Sequence, residues 1–142
     1  MRRMKALSLR HPYIDAILAG YRSVILRPFP VPHRGPLLLH ASKGFGPRER
    51  SALAALGESG IDIPEPAPEA LGALLGVARL VGCRPATPAD RELAAGEPNG
   101  GRDSWAWQLA DPEKFPVPIP YAGRIFLFEV PDTALAEAAM AS

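Results

Sequence analysis

Proline and glycine are spread along the whole chain, and their spacing limits how long any helix or strand can be. The 142 residues include 17 prolines and 13 glycines. Proline interrupts helices and the interior of sheets, and glycine favours turns. The regular elements must therefore be short, and no stretch has the composition of a linker between domains. We expect a single domain over residues 1–142 with one hydrophobic core.

Between these turns, apolar residues alternate as in strands or recur at helical spacing. Strands are predicted at 4–9, 23–27, 35–41, 74–84, 104–109 and 124–130. Helices are predicted at 12–19, 47–57 and 88–95, and a further alanine-rich helix is predicted to begin at Pro131 and Asp132. Even, short strands separated by short helices favour an α+β fold. We expect a small mixed β-barrel with flanking helices rather than a doubly wound sheet.

The net formal charge of +1 conceals a strong asymmetry along the chain. Residues 1–50 carry ten Lys or Arg and two acids, a balance of +8, whereas residues 51–142 carry six Lys or Arg and thirteen acids, a balance of −7. Such a distribution indicates a surface in the first third that faces a polyanion. The alternative is that the fold interleaves the two segments, so that their charges cancel in space.

A series of segments recurs in a characteristic order and spacing: Leu7–Tyr13, Ile17–Val24 followed by Arg27, Arg34–Ser42, Gly76–Cys83 and Trp105–Leu109, with Pro118–Pro120 and Gly123-Arg124 at the end. Together these segments resemble the ASCH domain family. The resemblance covers most of residues 4–130. It implies a single ASCH-like domain with a PUA-like β-barrel, and it implies binding of RNA or other single-stranded nucleic acid in a basic cleft. A nucleotide or a modified nucleoside is a further ligand that the resemblance allows.

The chain departs from the family pattern Gly-x-Lys-Thr-x-Glu-x-Arg at three positions. Arg22 replaces the lysine, Ser23 the threonine and Ile25 the glutamate, while Arg27 is kept. Some ASCH proteins hydrolyse acylated cytidine with a lysine, a threonine at the position of Ile25 and a distant glutamate. Arginine stays protonated and isoleucine has no hydroxyl, so we expect that activity to be absent.

The candidate binding residues lie at the ends of elements that the resemblance brings around one cleft. The basic members are Arg10, Arg22, Arg27, Arg34 and Lys43, with Ser23 beside them. Guanidinium groups suit phosphates and base edges. Tyr21 and Trp105 are candidates for stacking on bases, whereas Trp107 is expected in the core. The alternative for each cation is an ordinary solvated surface position.

Two further classes of function stay open from the sequence. His11 and His40 are candidate general acids or bases for a metal-independent ribonuclease, with hydrolysis of modified nucleosides as another reaction. No ligand spacing for a metal is present, and we expect no metal and no cofactor. The acidic second part could instead contact a basic protein, as in an interaction adaptor.

No apolar stretch has the length of a signal sequence or a membrane span. A cytoplasmic location is therefore expected, without a membrane partner. The oligomeric state is left open by the sequence.

Overall fold

A computed structural model describes residues 3–93, 103–124 and 127–135. The strands are β1 (Arg3–Leu9), β2 (Val24–Arg27), β3 (Gly35–Ala41), β4 (Ala73–Pro85), β5 (Trp105–Pro120) and β6 (Leu127–Pro131). The helices are α1 (Tyr13–Leu18), α2 (Pro47–Glu58) and α3 (Pro88–Leu93), with a short 3-10 turn at Pro68–Ala70. The predicted α+β class is confirmed.

The six strands form one mixed sheet in the order β2-β5-β4-β3-β1-β6. Only β1 and β3 are parallel neighbours, and the other four pairs are antiparallel. In the described ranges no ladder joins the two edge strands β2 and β6. The sheet is therefore open at this edge, and the full closure that a barrel requires is not seen.

The sheet nevertheless curls strongly. Ile25 of β2 packs in the same buried cluster as Leu7 and Leu9 of β1, although three strands separate β2 from β1 in the sheet. Helix α1 contributes Ile14 and Ile17 to this cluster. The concave face of the curled sheet thus encloses the main core, and α1 packs against it.

Trp107 lies at the centre of this core. It is fully buried, its indole Nε1 donates a hydrogen bond to the carbonyl oxygen of Phe29 at 3.0 Å, and the two rings meet edge to face. A buried indole N–H needs such a partner, because leaving it unpaired would be costly. The predicted core position of Trp107 is confirmed.

A second apolar cluster covers the opposite face of the sheet near β6. Its buried members are Ala6, Leu38, Leu74, Phe128 and Val130. Tyr121, from the connection between β5 and β6, packs against the same cluster. This connection therefore lies over the outer face of β1 and β3, which matters for the histidine described below.

Several element boundaries differ from the predicted ones for identifiable reasons. Strand β5 extends to Pro120 rather than ending at residue 109. Its second half pairs with β4 alone, and an edge strand tolerates prolines that a central strand excludes. Pro12 is the cap residue before α1 rather than its first helical residue. Residues 94–95 of the helix predicted at 88–95 lie outside the described ranges.

The start of α3 is capped by Thr87 and Asp90. The backbone N–H of Asp90 donates to the hydroxyl of Thr87 at 3.2 Å, and the backbone N–H of Thr87 donates to the Asp90 carboxylate at 2.8 Å. Arg84 holds the same carboxylate with both terminal nitrogens. These hydrogen bonds, led by that of Arg84, keep the pKa of Asp90 far below its usual range. The cap thus ties α3 to the end of β4.

Candidate nucleic-acid interface

Arg10 and Lys43 come together because β1 and β3 are parallel neighbours. Leu9 is opposite Ala41 in the register, and the backbone N–H of Ser42 donates to the carbonyl of Leu9 at 2.9 Å. Arg10 follows Leu9 directly, and Lys43 follows Ser42. Both cations are exposed at the same end of the sheet.

The side chain of Lys43 lies across Gly72. A Cβ atom at Gly72 would be only 2.8 Å from Lys43 Cγ, and Gly72 also has a positive φ of 64°. Glycine is therefore required here both for its conformation and for the space that it leaves. The aliphatic stem of Lys43 thus packs over Gly72, while the residue as a whole is exposed.

Arg22 is held near the same end through α1. Its guanidinium lies over the ring of Tyr13, 5.9 Å from the centroid. Tyr13 begins α1 directly after the turn in which the backbone N–H of Ile14 donates to the carbonyl of Arg10 at 3.1 Å. The cation–π contact thus links Arg22 to the segment that carries Arg10.

Arg27 closes the gap between β2 and β1. Its Nη1 donates to the carbonyl of Leu26 at 2.8 Å, and its Nη2 donates to the carbonyl of Ser8 at 3.3 Å. Ser8 lies one residue beyond the last position of β1 that pairs with β6. The pairs Arg27–Ser8 and Arg22–Tyr13 show that 22–27 runs antiparallel alongside 8–13. We call this contact of two segments the seam.

The other candidates occupy different places. Arg34 lies at the start of β3, where its Nη1 donates to the carbonyls of Val31 and His33. The length of β3 puts Arg34 roughly 20 Å from Lys43, which follows the other end of the strand.

Trp105 is half-buried against the main core and pairs with Arg27 in the β2–β5 register. Ser23 and Tyr21 are exposed just before β2.

Part of the positive charge of residues 1–50 is cancelled by acids from elsewhere in the chain. Glu129 pairs with Lys5 at 2.8 Å and approaches Arg3 at 3.8 Å, and Glu65 pairs with Arg50 at 2.6 Å. The interleaving alternative is therefore correct for these residues.

The cations at the end of β1 and β3 have fewer acid partners. Arg10 has Glu49 at 4.0 Å, a long contact, and no described carboxylate pairs with Arg22 or Lys43. Lys43 thus lies beside Arg10 at that end of the sheet without a described carboxylate of its own.

His40 is buried and has both ring nitrogens engaged. Nε2 donates to the carbonyl of Tyr121 at 2.6 Å, and Nδ1 is 2.9 Å from the hydroxyl of Ser8. Burial lowers the pKa of His40, and the hydrogen bond to Tyr121 opposes the shift only in part. The ring is therefore neutral near pH 7, and Nδ1 accepts the hydrogen bond from Ser8. Gly123 packs against the His40 ring and the Ser8 hydroxyl, since a Cβ at Gly123 would be 2.6 Å from His40 Cε1.

His11 is also buried, but it is held as a cation. Nδ1 contacts the carboxylate of Asp15 at 2.5 Å, and Nε2 contacts the carbonyl of Ala70 at 3.0 Å. Both partners only accept hydrogen bonds, so both nitrogens must carry hydrogen. Burial lowers the pKa of His11, but the hydrogen bond and charge of Asp15 outweigh it and the pKa is raised.

These contacts bear on the candidate acid–base roles. Both nitrogens of His11 and of His40 are used to hold the fold together, so neither is free to accept a proton from a substrate in this conformation. Sequence reasoning missed Ser8, Tyr121 and Gly123, the partners of His40. Gly123 lies 83 residues after His40 in the chain, and no local sequence pattern indicates that the two residues are in contact.

Within the described ranges no three His, Cys, Asp or Glu side chains are grouped as a metal site would need. The helices that the structure describes are all too short or too polar to cross a membrane.

Comparison with solved structures supports the resemblance at the level of the fold. The ASCH protein of Zymomonas mobilis superposes with a TM-score of 0.60, at 14% sequence identity over 96% of this chain and 94% of that one. A tyrosine-to-phenylalanine mutant of the same protein gives a TM-score of 0.57 at 14% identity and 98% coverage of both chains. A serine-to-alanine mutant gives 0.56 at 14% identity, with 97% and 95% of the two chains covered. No family model and no curated protein matches the sequence. The chain therefore has the fold of these ASCH structures.

Proposed function

We propose that this protein binds single-stranded RNA, or another nucleic acid with exposed bases, through the surface that carries Arg10, Arg22 and Lys43. We call these three residues the basic end. The observation that supports the proposal most is the β1–β3 register, which brings Arg10 and Lys43 side by side at one end of the sheet. In a fold whose other basic residues are partly paired with acids, these cations keep their charge available.

The chemistry of the three side chains suits a phosphate backbone. A guanidinium donates two parallel hydrogen bonds to a phosphate, and a lysine ammonium contributes a point charge. Arg10 and Lys43 follow paired strands, and Arg22 is supported by the ring of Tyr13. Anchored cations of this kind lose less side-chain entropy when they bind than free surface cations do.

Arg27 has a different role in this proposal. Both of its terminal nitrogens donate to backbone carbonyls, which makes the residue a brace of the seam rather than a phosphate ligand. Arg34 also lies away from the basic end, on its own loop. The proposed surface is therefore smaller than the five cations that the sequence suggests.

Fluorescence anisotropy with a labelled single-stranded RNA of about twelve nucleotides tests the proposal. Arg10→Ala and Lys43→Ala should each weaken binding, since each removes a phosphate contact. Arg79→Ala is the matched control, because Arg79 is exposed, is paired with Asp111 and lies opposite Pro36 at the other end of β3. Equal losses in all three variants would point to a general charge effect and contradict the proposal.

A further inference from the structure

Tyr21 has an unusual position for an aromatic side chain in this fold. It is 54% exposed, whereas the other aromatic residues that the structure describes are buried or half-buried. Large aromatic residues in small domains normally contribute to the core, as Trp107 does here. The exposed ring of Tyr21 therefore calls for a partner outside the chain.

The backbone that carries Tyr21 is fixed on both sides. The N–H groups of Tyr21 and Arg22 both donate to the carbonyl of Ala16, at 2.9 and 3.2 Å. Gly20, with a positive φ of 85°, allows the chain to turn out of α1. Two residues further on, the carbonyl of Ser23 accepts the N–H of Leu109 at 2.7 Å and leads into β2. A ring presented on such an anchored turn costs little ordering when it binds.

The surroundings of Tyr21 favour a nucleobase over an apolar protein surface. Gly20 and Ser23 are exposed and Arg22 follows Tyr21 in the chain, so this segment offers one exposed ring and a cation, and no run of large exposed apolar residues. Protein-binding surfaces of appreciable affinity usually need a contiguous apolar area. A base, in contrast, needs one ring face and a nearby charge for its phosphate.

We infer that an unpaired base of the bound strand stacks on Tyr21, and that this contact makes the protein prefer single-stranded over duplex RNA. The inference rests on the proposed function, because Arg22 would hold the phosphate next to the stacked base. The bases of a duplex are already stacked on each other and offer no free face. Selectivity for exposed bases thus comes from one residue, and the general affinity comes from the basic end.

Binding of single-stranded RNA and of a blunt duplex of the same sequence, measured by anisotropy for wild type, Tyr21→Ala and Tyr21→Phe, tests this inference. Tyr21→Ala should weaken single-strand binding by roughly 5- to 150-fold, the loss of one stacked base. Duplex binding should change little, and Tyr21→Phe should bind like wild type. The salt dependence in Tyr21→Ala should keep its slope, since no phosphate contact is removed. Val117→Ala removes another exposed apolar side chain, on β5, and serves as the control.

The outcomes separate this inference from the proposed function. If Arg10→Ala weakens binding while Tyr21→Ala does not, the result supports RNA binding through the basic end and contradicts stacking of a base on Tyr21. Equal losses on single-stranded and duplex RNA in Tyr21→Ala would also contradict stacking. If wild type binds neither RNA at low salt, both proposals fail together. Binding of a protein ligand through Tyr21 in the absence of any RNA binding would contradict both as well.

Discussion

The guanidinium of Arg27 extends from the end of β2 to the carbonyl oxygen of Ser8 in β1, 3.3 Å away. The two strands are not neighbours in the sheet, so this contact depends on the curl of the whole molecule. One side chain thus bridges β2 and β1, which no backbone ladder joins in the described ranges. The seam is thus held by side chains, and its stability should depend on them.

Arg27→Ala should lower the free energy of unfolding by about 1–3 kcal/mol, since it leaves a half-buried carbonyl without its charged donor. Arg27→Lys should recover only part of the loss, because an ammonium lacks the fork that contacts two carbonyls. Urea unfolding followed by far-UV circular dichroism measures both. Arg79→Ala, which removes an exposed ion pair, should change stability by less than about 1 kcal/mol. A similar value for Arg27→Ala would mean that the seam does not need this brace.

The pH dependence of stability should report on His40. Because burial lowers its pKa, the folded protein holds fewer protons at this site than the unfolded chain. The contribution of His40 is therefore fully present above the ordinary histidine pKa of about 6.5 and is lost as the pH falls below it. His11, whose pKa is raised, contributes in the opposite sense: its stabilisation is present below about 6.5 and is lost as the pH rises through the folded pKa.

Urea midpoints between pH 5 and pH 8 test these signs. His40→Gln should remove part of the loss of stability in acid, and His11→Gln should remove part of the loss at higher pH. His33→Gln is the control, because His33 contacts only the carbonyl of Pro36 at the surface. Wild-type slopes that persist unchanged in both variants would show that neither histidine is held as described.

The packing of Gly123 on His40 and Ser8 predicts a strong response to one added methyl group. Gly123→Ala places a Cβ 2.6 Å from His40 Cε1 and 2.8 Å from Ser8 Oγ, so the connection between β5 and β6 must shift. We expect a loss of about 1–3 kcal/mol in thermal or urea unfolding. Gly57→Ala, in α2 with nothing within 4 Å of the new Cβ, should instead be neutral or stabilising. The same small change at both sites would show that Gly123 is not closely packed.

Much of the fold could be predicted from local patterns. The Thr87–Asp90 capping box, Gly20 just after α1 and the continuous apolar run of β3 are signals carried by a few adjacent residues. The second half of β5 was missed because four prolines there suggest loop, and only the sheet order shows that this half is an edge. Whether the edge strands β2 and β6 pair is likewise not signalled locally, because the two strands are distant in the chain.

The sequence predicted the position of a candidate residue only where that position follows from the end of a recognised strand. Arg10 and Lys43 follow two strands whose ends the family resemblance brings around one cleft, and the structure pairs these strands side by side. The burial of His40 depends on contacts between distant segments, as does the use of Arg27 as a brace. Three groups that the sequence suggests for chemistry, His11, His40 and Arg27, thus make hydrogen bonds within the fold.

Hydrolysis of N4-acetylcytidine is predicted to be absent. Arg22 cannot give up its proton, and Ile25, at the position of the family's threonine, is buried in the core and has no hydroxyl. Loss of a nucleophile or base usually removes several powers of ten in rate. Incubation of the purified protein with N4-acetylcytidine, with release of cytidine followed by chromatography, is the measurement. Robust turnover that disappears in Arg22→Ala would contradict the prediction.

The salt dependence of single-stranded RNA binding tests the central claim most directly. If Arg10, Arg22 and Lys43 each neutralise one phosphate, the logarithm of the association constant should fall linearly with the logarithm of salt concentration. The slope should be about −2, from roughly −0.7 for each phosphate on a single strand. In the triple variant Arg10→Ala, Arg22→Ala and Lys43→Ala, the slope should approach zero together with the affinity. Binding that is indifferent to salt, or a slope that the triple variant leaves unchanged, would contradict the account.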